Sequence, residues 1–327
     1  MTQPPIVHIG YHKTGTTWFQ QHFYPACADA HMVRRRNVRR AFLCPTAFAF
    51  DPDTARATLA LPPDKRTIVC EEALCGYYEN AGYLEALSKD VAYRIRRVFP
   101  GAQIVIFLRN QLDMLTATYL QYIRRGGTAP VERFLYPYHY QRRFRTKAHK
   151  RPMFCLDHFD YHHLIRHYQS VFGAANVHVF LYEDFRNDRD RFLQSYCRHL
   201  ELDLDYGALS HEARNVSYGA ITRHVARGLN FVTVGDAINT TTLVPLMPRK
   251  VNEAIMNQLN RTPLAGGKVT PLRLFGPELV QTLEKRFAAS NRIVAEECGL
   301  DLGARGYPVA EDPDEATDGD VRDSAAA

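Results

Sequence analysis

IVHIGYHKTGTTWFQQ, Ile6 to Gln21, reads as a strand, a glycine loop and the first turns of a helix. Ile6, Val7 and Ile9 form the apolar run, Gly10 and Gly15 have the G-x-x-x-x-G spacing of a loop that wraps a phosphate, and Thr16 and Thr17 open the helix. The glycines permit the tight bend. The amides of Thr14, Gly15, Thr16 and Thr17 then face an anion where the helix dipole supplies about half a positive charge. In a nucleoside triphosphatase, lysine follows the second glycine and the next Ser or Thr binds magnesium. Here Thr16 fills the lysine position and Lys13 stands on the crest of the loop, three residues earlier. A cation there lies beside a bound phosphate and stabilises charge building on an oxygen that leaves from it. The bland alternative is a plain strand-to-helix turn, which the combination of Lys13, Thr16, Thr17 and Trp18 disfavours.

Working outward, Thr67 to Cys70, Ile104 to Leu108 and Val177 to Leu181 are further short apolar runs bounded by turn or charged residues, as expected of buried parallel strands. Helical spacing is expected over Thr16 to Ala28, Tyr83 to Phe99, Leu112 to Arg125, Tyr161 to Phe172, Arg189 to His199 and Pro277 to Cys298. The alternation predicts an α/β three-layer sandwich around a central parallel sheet with right-handed crossovers. There is no internal repeat and no linker rich in Gly, Pro or Ser, so residues 1–309 are expected to form one domain. His31 to Lys65, Gly126 to Leu156 and Asn215 to Leu272 lack clear periodicity and are where substrate discrimination is expected.

With 327 residues and 46% apolar content the chain is of the ordinary globular kind. No apolar run is long enough for a membrane span and MTQPPIVHIG has no leader pattern, so a cytoplasmic protein without an integral membrane segment is expected. Its seven cysteines follow no metal-ligand spacing and are read as free thiols. The formal charge is +6, but the stretch from Ala310 holds seven acids against one arginine, which leaves about +12 on the rest. Such a body suits an anionic ligand, and residues 310–327 are expected to be an acidic disordered tail.

A second signature is IVIFLRNQLDMLTATYLQY, in which Arg109 ends an apolar strand and a helix follows. An arginine held at a strand end can take phosphate oxygens with its planar fork. Two anion sites at two strand ends match a ligand phosphorylated in two places.

GYHKTGTTWFQ resembles the 5'-phosphosulfate loop of the sulfotransferases that use 3'-phosphoadenosine 5'-phosphosulfate (PAPS), and the Arg109 segment resembles their 3'-phosphate motif. The resemblance implies a phosphate-loop-like sulfotransferase fold of the bacterial, carbohydrate type. It implies PAPS as co-substrate, with Lys13 at the bridging oxygen. Thr14, Gly15, Thr16 and Thr17, followed by Trp18, would surround the 5'-phosphate, and Arg109 would hold the 3'-phosphate. The serine that the family places on the following helix is replaced by Ala117; of its neighbours Thr116 and Thr118, Thr118 is preferred as the substitute. RNVSYGAITR resembles an Asn-x-Ser segment near the cofactor's 3' end, which assigns Ser217. FGAANVHVFLYEDFRND and FAASNRIVAEECGLDL resemble the fourth strand and the closing helix.

In-line sulfuryl transfer needs a base for the acceptor proton. RTIVCEEAL resembles the strand end of carbohydrate-type enzymes and places Glu71 and Glu72 near the loop, where two adjacent carboxylates are expected to raise each other's pKa. Glu72 is the first candidate and His12 the second. The histidines of DHFDYHHLIRHY have i, i+4 spacings but no H-E-x-x-H glutamate, so no metal site is assigned. RRRNVRR and RRFRTKAHKR are basic clusters, usually solvated, that in these segments could receive an anionic glycan; no nucleic-acid module accompanies them. The sequence thus points to transfer of a sulfuryl group from PAPS to a hydroxyl of a carbohydrate or glycoconjugate. The alternatives are a phosphate-loop kinase acting on a small molecule, against which stands the missing lysine after Gly15, and a catalytically silent nucleotide binder of the same fold, which Ala117 favours.

Overall fold

The computed structural model describes residues 3–138, 153–209, 217–235 and 242–311. The basic cluster at 142–151 and the acidic stretch from 312 onward lie outside the described residues. Contacts group the chain into two compact units, one comprising Met1–Asn110, Ala148–Ala213 and Phe287–Ala325, the other Gln111–Lys147 and Arg214–Arg286.

The first unit is built on a parallel sheet of five strands, β1 (Ile6–Gly10), β2 (Ala30–Met32), β3 (Arg66–Cys70), β4 (Gln103–Leu108) and β5 (Val177–Leu181), in the order β2-β3-β1-β4-β5. The α/β architecture read from the sequence is therefore the one observed. Register follows the apolar runs: Val7 lies beside Val69 on one side and Ile104 on the other, and Val105 beside His178. Both faces are buried, as an all-parallel sheet requires. Ile6, Ile68, Cys70, Val105 and Phe107 point into a cluster with Phe19, Phe23, Leu193 and Tyr196. Val7, Ile9, Val69, Ile104 and Ile106 are equally buried on the alternate side. Helix Tyr161–Phe172 packs along β4 and β5 and against helix Ala86–Val98. Each fully buried aliphatic or aromatic side chain here contributes about 1.5–3 kcal/mol relative to exposure.

The core also buries polar side chains, among them a histidine of β1. His8 is fully buried, stacks on Phe107 at 4.9 Å between ring centres, and shares a hydrogen bond of 2.9 Å with the Tyr24 hydroxyl, which bonds Tyr196 at 2.8 Å. Burial pushes its imidazole down to about 3, so it is neutral in the fold.

Four differences from the expected elements have local causes. The helix after the loop is α-helical over Thr16–Trp18, widens to a π-turn over Phe19–Phe23 and tightens to a 3-10 turn over Tyr24–Ala26, where Pro25 cannot donate. The helix expected over Tyr83 to Phe99 is broken, because Tyr83, Leu84 and Glu85 all have φ between 57° and 64°. The segment expected to be irregular from His31 contains helices Arg35–Phe42 and Pro52–Leu59. A further helical stretch from Pro271 precedes the terminal helix and is separated from it by Gly276, whose φ of 77° and ψ of 166° are non-helical, so the terminal helix itself starts at Pro277 as expected.

The second unit is helical in its described residues, with Gln111–Arg124, Ala220–Leu229 and Arg249–Leu259 as its longer helices. Polar groups hold its interior: the Asn230 amide donates to the carbonyls of Ile123 and Gly127 at 2.9 and 2.8 Å, and that of Asn252 to Asn230 Oδ1 at 3.0 Å and Thr233 Oγ1 at 2.8 Å.

Candidate active site

In the strand order β2-β3-β1-β4-β5 the chain leaves β1 for β2, on the β3 side, and leaves β4 for β5, on the other. The carboxyl ends of β1 and β4 therefore flank the point where the connections diverge, which is where ligands of open parallel sheets sit. The glycine loop follows β1 and Arg109 follows β4.

The loop needs unusual backbone at three positions. Gly10 has φ 104°, Gly15 has φ 86°, and Lys13, with a side chain, has φ 63°. A Cβ on Gly10 would lie 3.1 Å from the Glu72 Cα and one on Gly15 3.3 Å from the Phe185 ring, so both glycines are also places of close approach. Lys13 is held in its left-handed conformation by what surrounds it. The Tyr11 amide donates to the Phe107 carbonyl at 2.9 Å, the buried Thr14 hydroxyl to the Tyr11 carbonyl at 2.5 Å, and Arg109 Nη1 to the Lys13 carbonyl at 2.9 Å.

Beyond the crest, Gly15 caps the helix start without any side-chain hydrogen bond, and the Trp18 amide returns to the Gly15 carbonyl at 2.8 Å. The first amides of any helix have no partner within it and are open to an anion. Thr16 is buried, and its Oγ1 has no hydrogen-bond partner in the protein; Thr17 is exposed. Trp18 packs on Phe185 at 5.0 Å under the guanidinium of Arg189, 5.1 Å from its ring centre, and its buried indole nitrogen is unpartnered.

Arg109 is half-buried, stacked on the Tyr182 ring at 5.0 Å, and its own carbonyl accepts from the Tyr161 hydroxyl at 2.7 Å. Its Nε is buried without a hydrogen-bond partner. The groups that fit a phosphorylated ligand are thus the loop amides, the Thr16 hydroxyl and the remaining donors of Arg109.

Glu71 and Glu72, side by side in sequence, have different surroundings. Glu71 is fully buried; its carboxylate accepts from Arg35 Nε at 3.0 Å and Arg39 Nε at 2.7 Å, and caps the next turn by accepting from the Ala73 amide at 3.2 Å. Burial pushes the Glu71 carboxyl up, but the hydrogen bonds and charges of Arg35 and Arg39 outweigh it and hold it below its ordinary value. This corrects the expectation that the adjacent carboxylates raise each other, since the two arginines neutralise the site. Within RRRNVRR, Arg35 and Arg39, one helical turn apart, are bonded to Glu71 rather than turned to an acceptor, whereas Arg34, Arg36 and Arg40 are exposed. Glu72 keeps partial exposure, with Arg35 Nη2 at 2.7 Å on one oxygen and Gln20 Nε2 at 3.5 Å on the other.

His12 is half-buried, with Nδ1 3.7 Å from Cys75 Sγ and its ring edge-on to Tyr78 at 5.2 Å. The other histidines disperse. His158 is buried against Tyr11 at 5.4 Å and is pushed down by burial to about 4, while His162 bonds Ser290 and His167 meets the Lys89 carbonyl. Among the described residues no three His, Cys, Asp or Glu side chains group as metal ligands.

Thr116, Thr118 and Ser217 belong to the second unit. Thr118 is fully buried and its hydroxyl donates to the Met114 carbonyl at 2.8 Å; Thr116 does the same to Leu112 at 2.8 Å. The proton of each hydroxyl is committed within its own helix. Ser217 is exposed, and its carbonyl accepts from Asn260 Nδ2 at 3.2 Å; the Asn of its motif, Asn215, lies outside the described residues.

Sequence reasoning missed Glu85. Burial, with Asp157 nearby, pushes its carboxyl up to about 7. It stands in the left-handed turn that breaks the expected helix, and neither composition nor periodicity marks it.

No protein-family model matches the chain, and no curated protein matches it. Among solved structures the chain is similar to a sulfotransferase from Alicyclobacillus acidocaldarius, at 17% identity and TM-score 0.48, over 66% of this chain and 87% of that one. It is also similar to the mouse sulfotransferase SULT7A1, solved in complex with PAP, at 13% identity and TM-score 0.44, over 93% of this chain and 90% of that one. A third is the sulfotransferase domain from the curacin biosynthetic pathway, at 11% identity and TM-score 0.32, over 79% of this chain and 98% of that one.

Proposed function

We propose that the protein transfers a sulfuryl group from PAPS to a hydroxyl of a carbohydrate or glycoconjugate. The observation that carries this reading is the placement of Lys13: a non-glycine residue in the left-handed region on the crest of a phosphate loop, its carbonyl held by the arginine that follows the neighbouring strand. That arrangement supports a lysine whose ammonium would lie beside a bound phosphate rather than behind it.

PAPS supplies an activated sulfuryl group on an adenosine phosphate that leaves as a dianion. Lys13 would stabilise the negative charge on the departing oxygen. The amides of Thr14 to Thr17 and the Thr16 hydroxyl would hold the 5'-phosphate, and Arg109, through its unpartnered Nε, a further phosphate. Glu72, in the turn that follows β3 and less buried than Glu71, would take the acceptor proton, with His12 as the second candidate. Its backbone lies against Gly10, which places it at the loop's entrance. Arg35, bonded to both carboxylates, would orient Glu72.

Titration with adenosine 3',5'-bisphosphate and with ATP plus magnesium tests the reading. Binding of the bisphosphate is expected; binding of ATP and magnesium without it would favour a kinase. Transfer of radiolabelled sulfate into a glycan panel, abolished by Lys13→Ala, then separates an enzyme from a silent binder. The silent-binder reading draws its support from Ala117, flanked by threonines whose protons are already committed.

A further inference from the structure

In the second unit, the chain after helix Ala220–Leu229 closes on the segment leading into helix Arg249–Leu259. The Val234 amide donates to the Met247 carbonyl at 2.9 Å, Leu243 to Phe231 at 2.8 Å and Leu246 to Val232 at 3.0 Å. These bonds bring Val234, Leu243, Val244 and Leu246 together, and all four are turned to solvent; Leu243 is 76% and Leu246 74% exposed. Single exposed apolar side chains are ordinary, whereas several on one hydrogen-bonded closure mark a surface that meets something.

The charge around them indicates what it meets. Arg249 and Lys250, both exposed, follow directly. From Ser217 to Arg273 the sequence carries seven arginines and lysines against two acids, Asp236 and Glu253, the latter paired with Arg124 at 3.2 Å. A second copy of the chain would set this basic surface against itself, because a two-fold contact is self-complementary. A negative layer with an apolar layer beneath it satisfies both the charges and the leucines. We propose that this closure docks on the surface of an anionic lipid bilayer, with Leu243 and Leu246 entering the boundary between headgroups and acyl chains and Arg249 and Lys250 meeting the lipid phosphates. The attachment is peripheral: among the described residues no helix is long and apolar enough to cross a membrane. The proposal is independent of the sulfuryl-transfer reading.

Co-sedimentation of the full chain with phosphatidylcholine vesicles, with and without phosphatidylserine, tests it. Binding is expected to the mixed vesicles alone and to weaken as salt rises. Leu243→Ser with Leu246→Ser preserves charge and is expected to lower partitioning at least about tenfold. Undiminished binding by this variant would overturn the proposal, because charge alone would then account for the attraction. Equal binding to neutral vesicles would also overturn it. So would retention on polyglutamate without vesicle binding, or a wild-type dimer that the double substitution converts to a monomer, each assigning the surface to a protein. Should the double variant fail to fold, Arg249→Gln with Lys250→Gln reads the same surface through its salt dependence, and an unchanged salt profile would overturn the proposal.

Discussion

Arg109 Nη1 donates to the carbonyl oxygen of Lys13 at 2.9 Å, so the residue that follows β4 holds the crest of the loop that follows β1. The bond crosses the point at which the sheet's connections diverge. It also supports a left-handed lysine, a conformation that costs about 1–3 kcal/mol when nothing favours it.

Arg109→Lys is therefore expected to weaken adenosine 3',5'-bisphosphate binding by roughly 10- to 100-fold, since an ammonium cannot bond the Lys13 carbonyl, stack on Tyr182 and face a phosphate together. Isothermal titration measures the loss. An affinity equal to that of the wild type would remove Arg109 from both roles.

The two carboxylates at the end of β3 should separate cleanly by substitution. Glu71→Gln leaves Arg35 and Arg39 without their shared partner; because both are partly solvated, a loss of about 1–3 kcal/mol is expected, less than for a fully buried pair. Glu72→Gln is expected to leave the melting temperature nearly unchanged and to lower turnover by roughly 10²- to 10⁴-fold. Thermal denaturation beside initial rates distinguishes the two; the reverse pattern would exchange their roles.

Gly10→Ala is expected to cost about 1–3 kcal/mol, because the site combines a φ of 104° with only 3.1 Å to the Glu72 backbone, which cannot move aside as a side-chain tip could. Denaturant titration reads it, and a neutral substitution would show that the loop and the end of β3 are free to part.

Two buried histidines and one carboxyl set opposing slopes of stability with pH. His8 and His158 ionise in the unfolded chain near 6.5 but are pushed down to about 3 and about 4 in the fold. The unfolded state thus binds more protons below 6.5, and their contribution, complete above that pH, is lost as the pH falls toward those values. Glu85 is pushed from 4.5 to about 7, so the fold binds the extra proton; its contribution is complete below 4.5 and is lost as the pH rises to about 7. Glu85→Gln is expected to raise stability at pH 8 by up to about 3 kcal/mol, less what solvent already relieves, and to leave it unchanged at pH 4. Melting curves at the two pH values check the sign.

Much of the first unit was legible because its signals are local. β1, β3, β4 and β5 are short, mostly apolar runs, and the glycine spacing with Lys13 and Thr16 is contained within seven residues. Strand β2 was not legible, since Ala-His-Met carries no strand pattern and is defined by its pairing with β3. The spacing of Arg35 and Arg39 held a usable signal, one helical turn, but only once their helix is recognised. Glu85 held none, because its shifted carboxyl depends on burial.

By itself, then, the sequence determined the strand, the loop with its glycine spacing and the start of the helix, and the unusual place of the lysine within them, because each depends on neighbours a few residues away. Tertiary structure alone decided what supports that lysine and which of two adjacent glutamates is available. The bonds that do so join Arg109 to Lys13 and Arg35 to Glu71, residues far apart in the chain, and they exist because the strand order brings the ends of β3, β1 and β4 side by side.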